Sequence, residues 1–219
     1  MRHGSRVREK GARVEFSDSA SGVGPVRGKS ALTFVSLLCV ALTIGGVLAN
    51  GVAAARSYPA TGSVEIAFTP GDAVDRLIIA AIDKAQSEIL VHAYTFTHRR
   101  IAQALIGAKR RGVAVAVLAD REQARSVPQN VLPQLVAGRV DVWLDGNFQA
   151  AHNKVIVIDA DLPRATTITG SYNFTWAAQR KNAENVVVLR DNAAVARAYR
   201  DNWRRLKAAA TPWSEEAVK

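Results

Sequence analysis

From Ser63 onward the chain alternates short β-rich runs with longer runs whose apolar residues recur every three or four positions, and this alternation limits its fold more than any other feature. Strands and amphipathic helices in turn are the mark of layered α/β domains, in which helices cover a sheet that cannot otherwise bury its faces. One run is decisive. Val113–Ala119 (VAVAVLA) is apolar at every position, whereas a strand with one wet face alternates apolar with polar residues, so this run belongs inside a sheet covered on both sides. The expected architecture is a layered α/β/α sandwich around a mixed β-sheet.

The remaining runs fill in that frame. Ser63–Phe68 reads as the first strand and Thr69-Pro70-Gly71-Asp72 as a turn with a helix N-cap. Asp72–Gln86 carries Val74, Leu77, Ile78, Ala81, Ile82 and Ala85 at helical spacing, which predicts an amphipathic helix on the sheet. Glu88–Ala93 reads as a strand. His98–Arg111 is a second helix with Ile101, Ala104, Leu105 and Ala108 inside and Arg99, Arg100, Lys109, Arg110 and Arg111 outside, stopped by Gly112. Pro128 and Pro133 break Asp120–Gly138 into loop or short helix. Arg139–Leu144, His152–Ile158, Thr166–Thr169 and Val186–Leu189 read as strands, and Ala193–Lys207 as a closing helix packed through Val195, Ala198, Tyr199 and Leu206.

Ahead of this domain, residues 1–30 are polar, rich in Gly, Ser and Arg, and without apolar periodicity, so they are expected to be a disordered basic segment. Ala31–Ala49 follows, 19 residues without a charge behind Arg27 and Lys29, a run able to enter a bilayer with its N-terminal flank left in the cytoplasm. Ala53 and Ala55 form a small-x-small site, so residues 31–55 read as a signal peptide h-region and cleavage site that delivers residues 56–219 to the periplasm or beyond. The polar region before the run is too long for an ordinary signal peptide and the run itself is long. Either translation starts downstream at a non-Met codon, Met1 being the only methionine, or residues 31–49 stay as a membrane anchor with the folded domain outside the cytoplasm. The single cysteine, Cys39, lies in that run and excludes a disulfide framework.

Of 29 Lys and Arg and 19 Asp and Glu, seven and three lie in the first 29 residues, which leaves 22 against 16 across residues 56–219. The domain is basic in its own right, and a polyanionic partner, nucleic acid or anionic lipid, fits that balance.

Chemistry concentrates between Ala151 and Leu189. Residues two apart on a strand face one way, so His152 and Lys154 project side by side. Ser171 and Asn173 again share a face, right after Gly170, where the backbone can approach a ligand. An imidazole, an ammonium, a hydroxyl and an amide suit a tetrahedral phosphate: a nucleophile or acid, a fixed positive charge, and neutral donors for the non-bridging oxygens. Asp159, seven residues after His152, is out of phase and expected to point away or to lie past the strand's end. Glu184, between Asn182 and Asn185, is a carboxylate suited to holding an imidazole in one tautomer. No His/Cys/Asp/Glu cluster has metal-ligand spacing, and Lys154 would repel a cation beside the histidine. The expectation is therefore no metal and no cofactor.

His152-x-Lys154-x4-Asp159 followed by Gly170-Ser171-x-Asn173 resembles the HKD motif of the phospholipase D superfamily. The run Gly170–Thr175, the element Asn182-x-Glu184-Asn185 and the upstream His92–Thr97 look like its small single-motif endonucleases, the periplasmic chelator-resistant Nuc type, across residues 63–206. One departure is the ten-residue gap between Asp159 and Gly170, where the family usually has six; Asp161–Arg164 reads as a longer hairpin turn.

The resemblance implies the phospholipase D/nuclease fold and metal-independent cleavage of nucleic acid, DNA or RNA, through a phosphohistidine on His152. It also implies a homodimer in which Lys154, Ser171 and Asn173 of both chains line one cleft, with Asp159 and Gly170 as structural members of the motif. Arg99, Arg100 and Trp176 are candidate substrate contacts, Trp176 by stacking a base. Two other readings stand beside this one: a phospholipid-acting enzyme of the same superfamily working near a membrane through residues 31–49, and a non-catalytic nucleic-acid or membrane-binding module, which would not need a nucleophile.

Overall fold

The computed structural model describes residues 55–217, so the expected disordered segment (1–30), the apolar run at 31–49 and the small-x-small site up to Ala54 lie outside the described residues. Among the described residues no helix is long and apolar enough to cross a membrane.

Eight strands form one mixed sheet: β1 (Ser63–Thr69), β2 (Glu88–Ala93), β3 (Ala114–Asp120), β4 (Asp141–Asp145), β5 (Lys154–Ile158), β6 (Thr166–Gly170), β7 (Glu184–Arg190) and β8 (Thr211–Pro212), in spatial order β1-β7-β6-β5-β2-β3-β4-β8. β3 runs parallel to β2 and to β4, and every other pair is antiparallel. The helices are α1 (Val74–Asp83), α2 (Arg99–Arg110), α3 (Arg121–Ser126), α4 (Leu132–Ala137), α5 (Trp176–Arg180) and α6 (Ala193–Lys207).

The sheet has a core on each face, which is why β3 is apolar up to its last residue, Asp120. Val115, Val117 and Ala119 face the larger core with Ile78 and Ile82 of α1 and Ile101 and Leu105 of α2. Leu118 faces the smaller one, with Ala196, Trp203 and Leu206 of α6. Trp203 is buried and donates its indole N–H to the carbonyl of Val91 (2.8 Å).

Several boundaries differ from the sequence reading for local reasons. α1 begins at Val74, because the Asp72 carboxylate accepts the N–H of Phe68 (2.8 Å) and closes the turn instead of capping the helix. It ends at Asp83, because the next free amides go elsewhere. Those of Gln86, Ser87 and Glu88, with the Ser87 hydroxyl, donate to the carboxylate of Asp159 at 2.7–3.0 Å. The strand expected from His152 starts at Lys154, where pairing with β2 begins at Ala93. α5 and β8, five and two residues long and too short to show a period, are additional elements.

Asp159 sits just past the end of β5 at φ 53° and ties that end to the turn before β2. Burial alone would raise its pKa, but the three backbone amides and the hydroxyl outweigh that and hold it below the usual carboxylate range. The longer β5–β6 turn lies at this same end; its Asp161 pairs with Arg200 of α6, and Ile158 still pairs with Thr166.

Asp159→Asn keeps one acceptor oxygen and turns an amide toward N–H donors. A loss of about 2–4 kcal/mol in urea unfolding at neutral pH is expected, the scale for orphaning donors of charge-assisted hydrogen bonds. Equal midpoints for variant and parent would show that this clasp does not hold the fold.

Candidate active site

The strand register gathers the candidate residues at the opposite end of β5. Lys154 lies across from Ala93 at the end of β2, Gly170 across from Val186, and Glu184 across from Thr69 at the end of β1. By the two-residue repeat Lys154, Gly170 and Glu184 share a face with Ile156, Ile168 and Val186, all part of the larger core. They form the rim of that face where the strands run out.

His152 precedes the strand in a loop whose backbone is fixed at two points: the N–H of Ala151 donates to buried Asp120 (2.7 Å), and the carbonyl of Asn153 accepts from Tyr94 (3.0 Å). The Tyr94 ring packs against the His152 imidazole, centroids 4.3 Å apart, and lies 4.8 Å from the Lys154 ammonium. Lys154 donates to the carbonyl of His152 at 2.9 Å, so the cation also steadies the loop. The imidazole is exposed and makes no hydrogen bond or ion pair among the described residues. Burial pushes the pKa of Lys154 down, and the negative charge of Glu184 pulls it back up; the two therefore sense each other across the rim.

Ser171 is held from the other side. Its hydroxyl donates to Glu184 Oε2 at 2.5 Å and accepts from the backbone N–H (3.0 Å) and the side-chain amide (3.3 Å) of Asn185. Asn182 donates to the second oxygen of Glu184 at 2.9 Å. The close approach needs Gly170: a Cβ there would lie 2.2 Å from the carbonyl oxygen of Asn185. Asn173 keeps a buried side-chain oxygen without a partner, while Tyr172 and Phe174 between and beyond are buried beneath the rim, Phe174 edge-on to Phe96.

This geometry corrects one expectation. Within the chain Glu184 orients Ser171 and makes no hydrogen bond to His152, because it starts β7, two strands away from β5. Tyr94, to which the sequence reading gave no role, turns out to be the surface on which both His152 and Lys154 rest. Its place directly after the β2 strand was the available signal.

Arg99, Arg100 and Trp176 lie beside this group, not in it. They line a cleft of about 440 Å³ with Thr97, Gln129 and Arg180. A wider cleft of about 780 Å³ lies at the far end of the strands around Asp159 and Arg190, away from His152. Among the described residues no three His, Cys, Asp or Glu side chains are grouped so as to hold a metal ion.

The other two described histidines lie outside this group. His98 is buried, accepts the N–H of Ile101 as the cap of α2, and lies 3.6 Å from Asp75. His92 is buried on β2, and burial lowers its pKa from 6.5 to about 4 despite Asp145 and Asp120 nearby. Below pH 6.5 the unfolded chain therefore takes up a proton that the folded protein refuses, and stability should fall by up to about 3 kcal/mol as pH drops from 6.5 to 4. His92→Gln should flatten that part of the urea-unfolding pH profile. If variant and parent decline in parallel, another group carries the loss.

Residues 78–207 match the family model described as "Cardiolipin synthase, PLD-like domain". A phospholipase D of Rickettsia felis is 40% identical over 145 residues, which span 66% of this chain and 70% of that protein. The crystal structure of Nuc, a phospholipase D family member from Salmonella typhimurium, superposes with a TM-score of 0.64 at 32% identity, over 70% of this chain and 99% of the other. NucT from Helicobacter pylori shares the fold at a TM-score of 0.62 and 22% identity, over 69% and 99%. The chain thus belongs to the phospholipase D-like family, whose mixed sheet and flanking helices it shares, and is a hydrolase of phosphodiester bonds.

Proposed function

We propose that this phosphodiesterase is a metal-independent nuclease whose His152 attacks phosphorus in a site completed by a second copy of the chain. The observation that carries this reading is the exposed, unpartnered imidazole of His152 beside the ammonium of Lys154, which makes no close ion pair among the described residues. In the first step the His152 nitrogen bonds to phosphorus while the bond to the leaving oxygen breaks. A proton donor on the opposite side delivers its proton to that oxygen. Water then attacks phosphorus, gives its proton to the same group, and frees His152 as the P–N bond breaks. Lys154 and the side-chain N–H groups of Asn173 face the non-bridging oxygens and offset their charge, while Ser171, whose proton goes to Glu184, braces the rim beside them.

One imidazole cannot stand on both sides of phosphorus. Buried His92 and His98 cannot reach it, so the second donor in this reading is His152 of the second copy. The surface of β1 supports such pairing. Val64, Ile66 and Phe68, each more than half exposed, form an apolar strip on the edge strand, and Phe68 lies across from Asn185, whose amide holds Ser171. The strip lies on the sheet face opposite to Ala67 and the rim and meets the rim only at its Phe68 end, where a two-fold contact would bring two rims together edge to edge.

Nucleic acid is the substrate favoured by the basic balance of residues 56–219 and by the resemblance to single-motif endonucleases. The name phospholipase D on the Rickettsia relatives keeps a phospholipid in the assay as the second reading.

The purified protein in excess EDTA should cleave DNA or RNA. His152→Ala and Lys154→Ala should each lower the rate by about three orders of magnitude, as groups acting together do. Activity that vanishes with chelation and returns with Mg²⁺, or a folded Lys154→Ala protein of near-full activity, would overturn the assignment. Ile66→Asp should give a monomer of the same helical content with little activity. Wild type exchanged with inactive His152→Ala chains should show less activity than its share of the mixture; a rate that tracks that share after proven exchange would count against a shared site.

A further inference from the structure

We infer that the cleft between the start of α2 and the start of α5 is a subsite for an unpaired nucleobase, with Trp176 as its stacking platform and Arg99 and Arg180 holding the flanking phosphates. The inference rests on the nuclease reading above and names the form of its substrate: single-stranded nucleic acid.

Two unrelated elements build the cleft. The N–H groups of Thr97 and His98 both donate to the carbonyl of Phe174 at 2.9 Å, which staples the start of α2 to the segment leading into α5. Thr175 caps α5 through its hydroxyl (3.1 Å) and so fixes the residue that follows. That residue, Trp176, is 57% exposed, although an indole of its size is ordinarily buried. It stands three residues past Asn173, no more than about 11 Å of chain away, so a strand lying on the rim passes beside it.

The charges around the ring are arranged for phosphate. Asp75, buried at the floor, is occupied by His98 at 3.6 Å and Arg100 at 3.5 Å. Arg99 and Arg180 line the cleft with no carboxylate partner among the described residues. Lys181 holds its ammonium 5.5 Å from the indole centroid, a third cation within reach of a phosphate beside a stacked base. Thr97 and Gln129 add a hydroxyl and an amide for base edges.

A bilayer surface also attracts Trp, Arg and Lys, but a membrane-docking face needs several apolar side chains together. Trp176 is the only large exposed hydrophobic residue lining this cleft; the others described, Tyr58, Val64, Ile66, Phe68 and Phe148, lie elsewhere in the chain. A flat aromatic ring among guanidinium groups in a concave site instead matches how single strands are held, by stacking that any base satisfies and by cations along the backbone. Duplex bases offer no free face to the ring.

The test compares the full protein with Trp176→Ala on three substrates of equal length: an unstructured oligothymidylate, an abasic sugar-phosphate strand, and a duplex. On oligothymidylate kcat/KM should fall roughly ten-fold, whereas the other two rates should not change; those two controls also report that the variant is folded. Trp176→Phe should keep most of the activity, and Arg99→Gln with Arg180→Gln should slow all three. The inference is overturned if Trp176→Ala matches wild type on oligothymidylate, if it slows the abasic strand equally, or if it loses only binding to phosphatidylglycerol vesicles. A wild type that hydrolyses phospholipid but no nucleic acid overturns both this subsite and the nuclease reading; nucleic-acid cleavage indifferent to Trp176 removes the subsite alone.

Discussion

The antiparallel register of β2, β5, β6 and β7 brings Lys154, Gly170 and Glu184 to one rim, and each other feature of the candidate site hangs from that placement. Because side chains on a strand alternate between faces, a slip of one residue in β5 would move Lys154 to the α6 side and bury Val155 and Val157 in the wrong core. The apolar residues of β5 prevent the slip, since Ile156 and Ile158 fit the larger core and Val155 and Val157 the smaller. Packing on both faces thus sets the position of a polar group that belongs to neither core. Asp159 clamps the far end of the same strand, so the strand is fixed at one end by a carboxylate and offers chemistry at the other.

This division explains why the HKD pattern spans eight residues although only its first two members meet at the rim. A five-residue strand separates the ends by roughly 17 Å, so Asp159 cannot touch a group bound at Lys154. Its burial and its four donors mark it as a structural clasp, and the extra turn residues Asp161–Arg164 sit at the clasp end, where added length leaves the rim unchanged.

Much of this was legible in the sequence. The apolar run Val113–Ala119 pointed to a sheet covered on both sides, and the limits of α6 agree with its sequence, though it packs through Ala196, Trp203 and Leu206 and not through Val195 and Ala198. The spacing His152-x-Lys154 pointed to two side chains at one strand end, where they share the Tyr94 ring. What escaped reading was long-range. Nothing local says that Asp72 spends its carboxylate on Phe68, that the amides of residues 86–88 belong to Asp159, or that Glu184 faces Ser171 instead of an imidazole. Each depends on which strands become neighbours, and β7 lies between β1 and β6 although five strands separate it from β1 in the chain. Tyr94 was hidden for the same reason: an aromatic residue after a strand reads as core until the strand beside it is known to begin with Lys154.

The electrostatic arrangement follows from that adjacency. A buried ammonium is costly unless it is paired, and here burial pulls the Lys154 pKa down while Glu184 partly restores it. Glu184 is not free to form a close ion pair, since both of its oxygens are engaged by Ser171 and Asn182. Lys154 is left with one carbonyl, that of His152, and the π-face of Tyr94, two weak partners for a full charge. A cation held so poorly by its own chain favours an incoming anion more than one locked in a salt bridge would. The exposed imidazole of His152, which makes no hydrogen bond among the described residues, is left in the same unsatisfied state. With the far end of β5 clasped by the four donors to Asp159, polar capacity left unspent at the rim is the physical condition for binding a phosphodiester there.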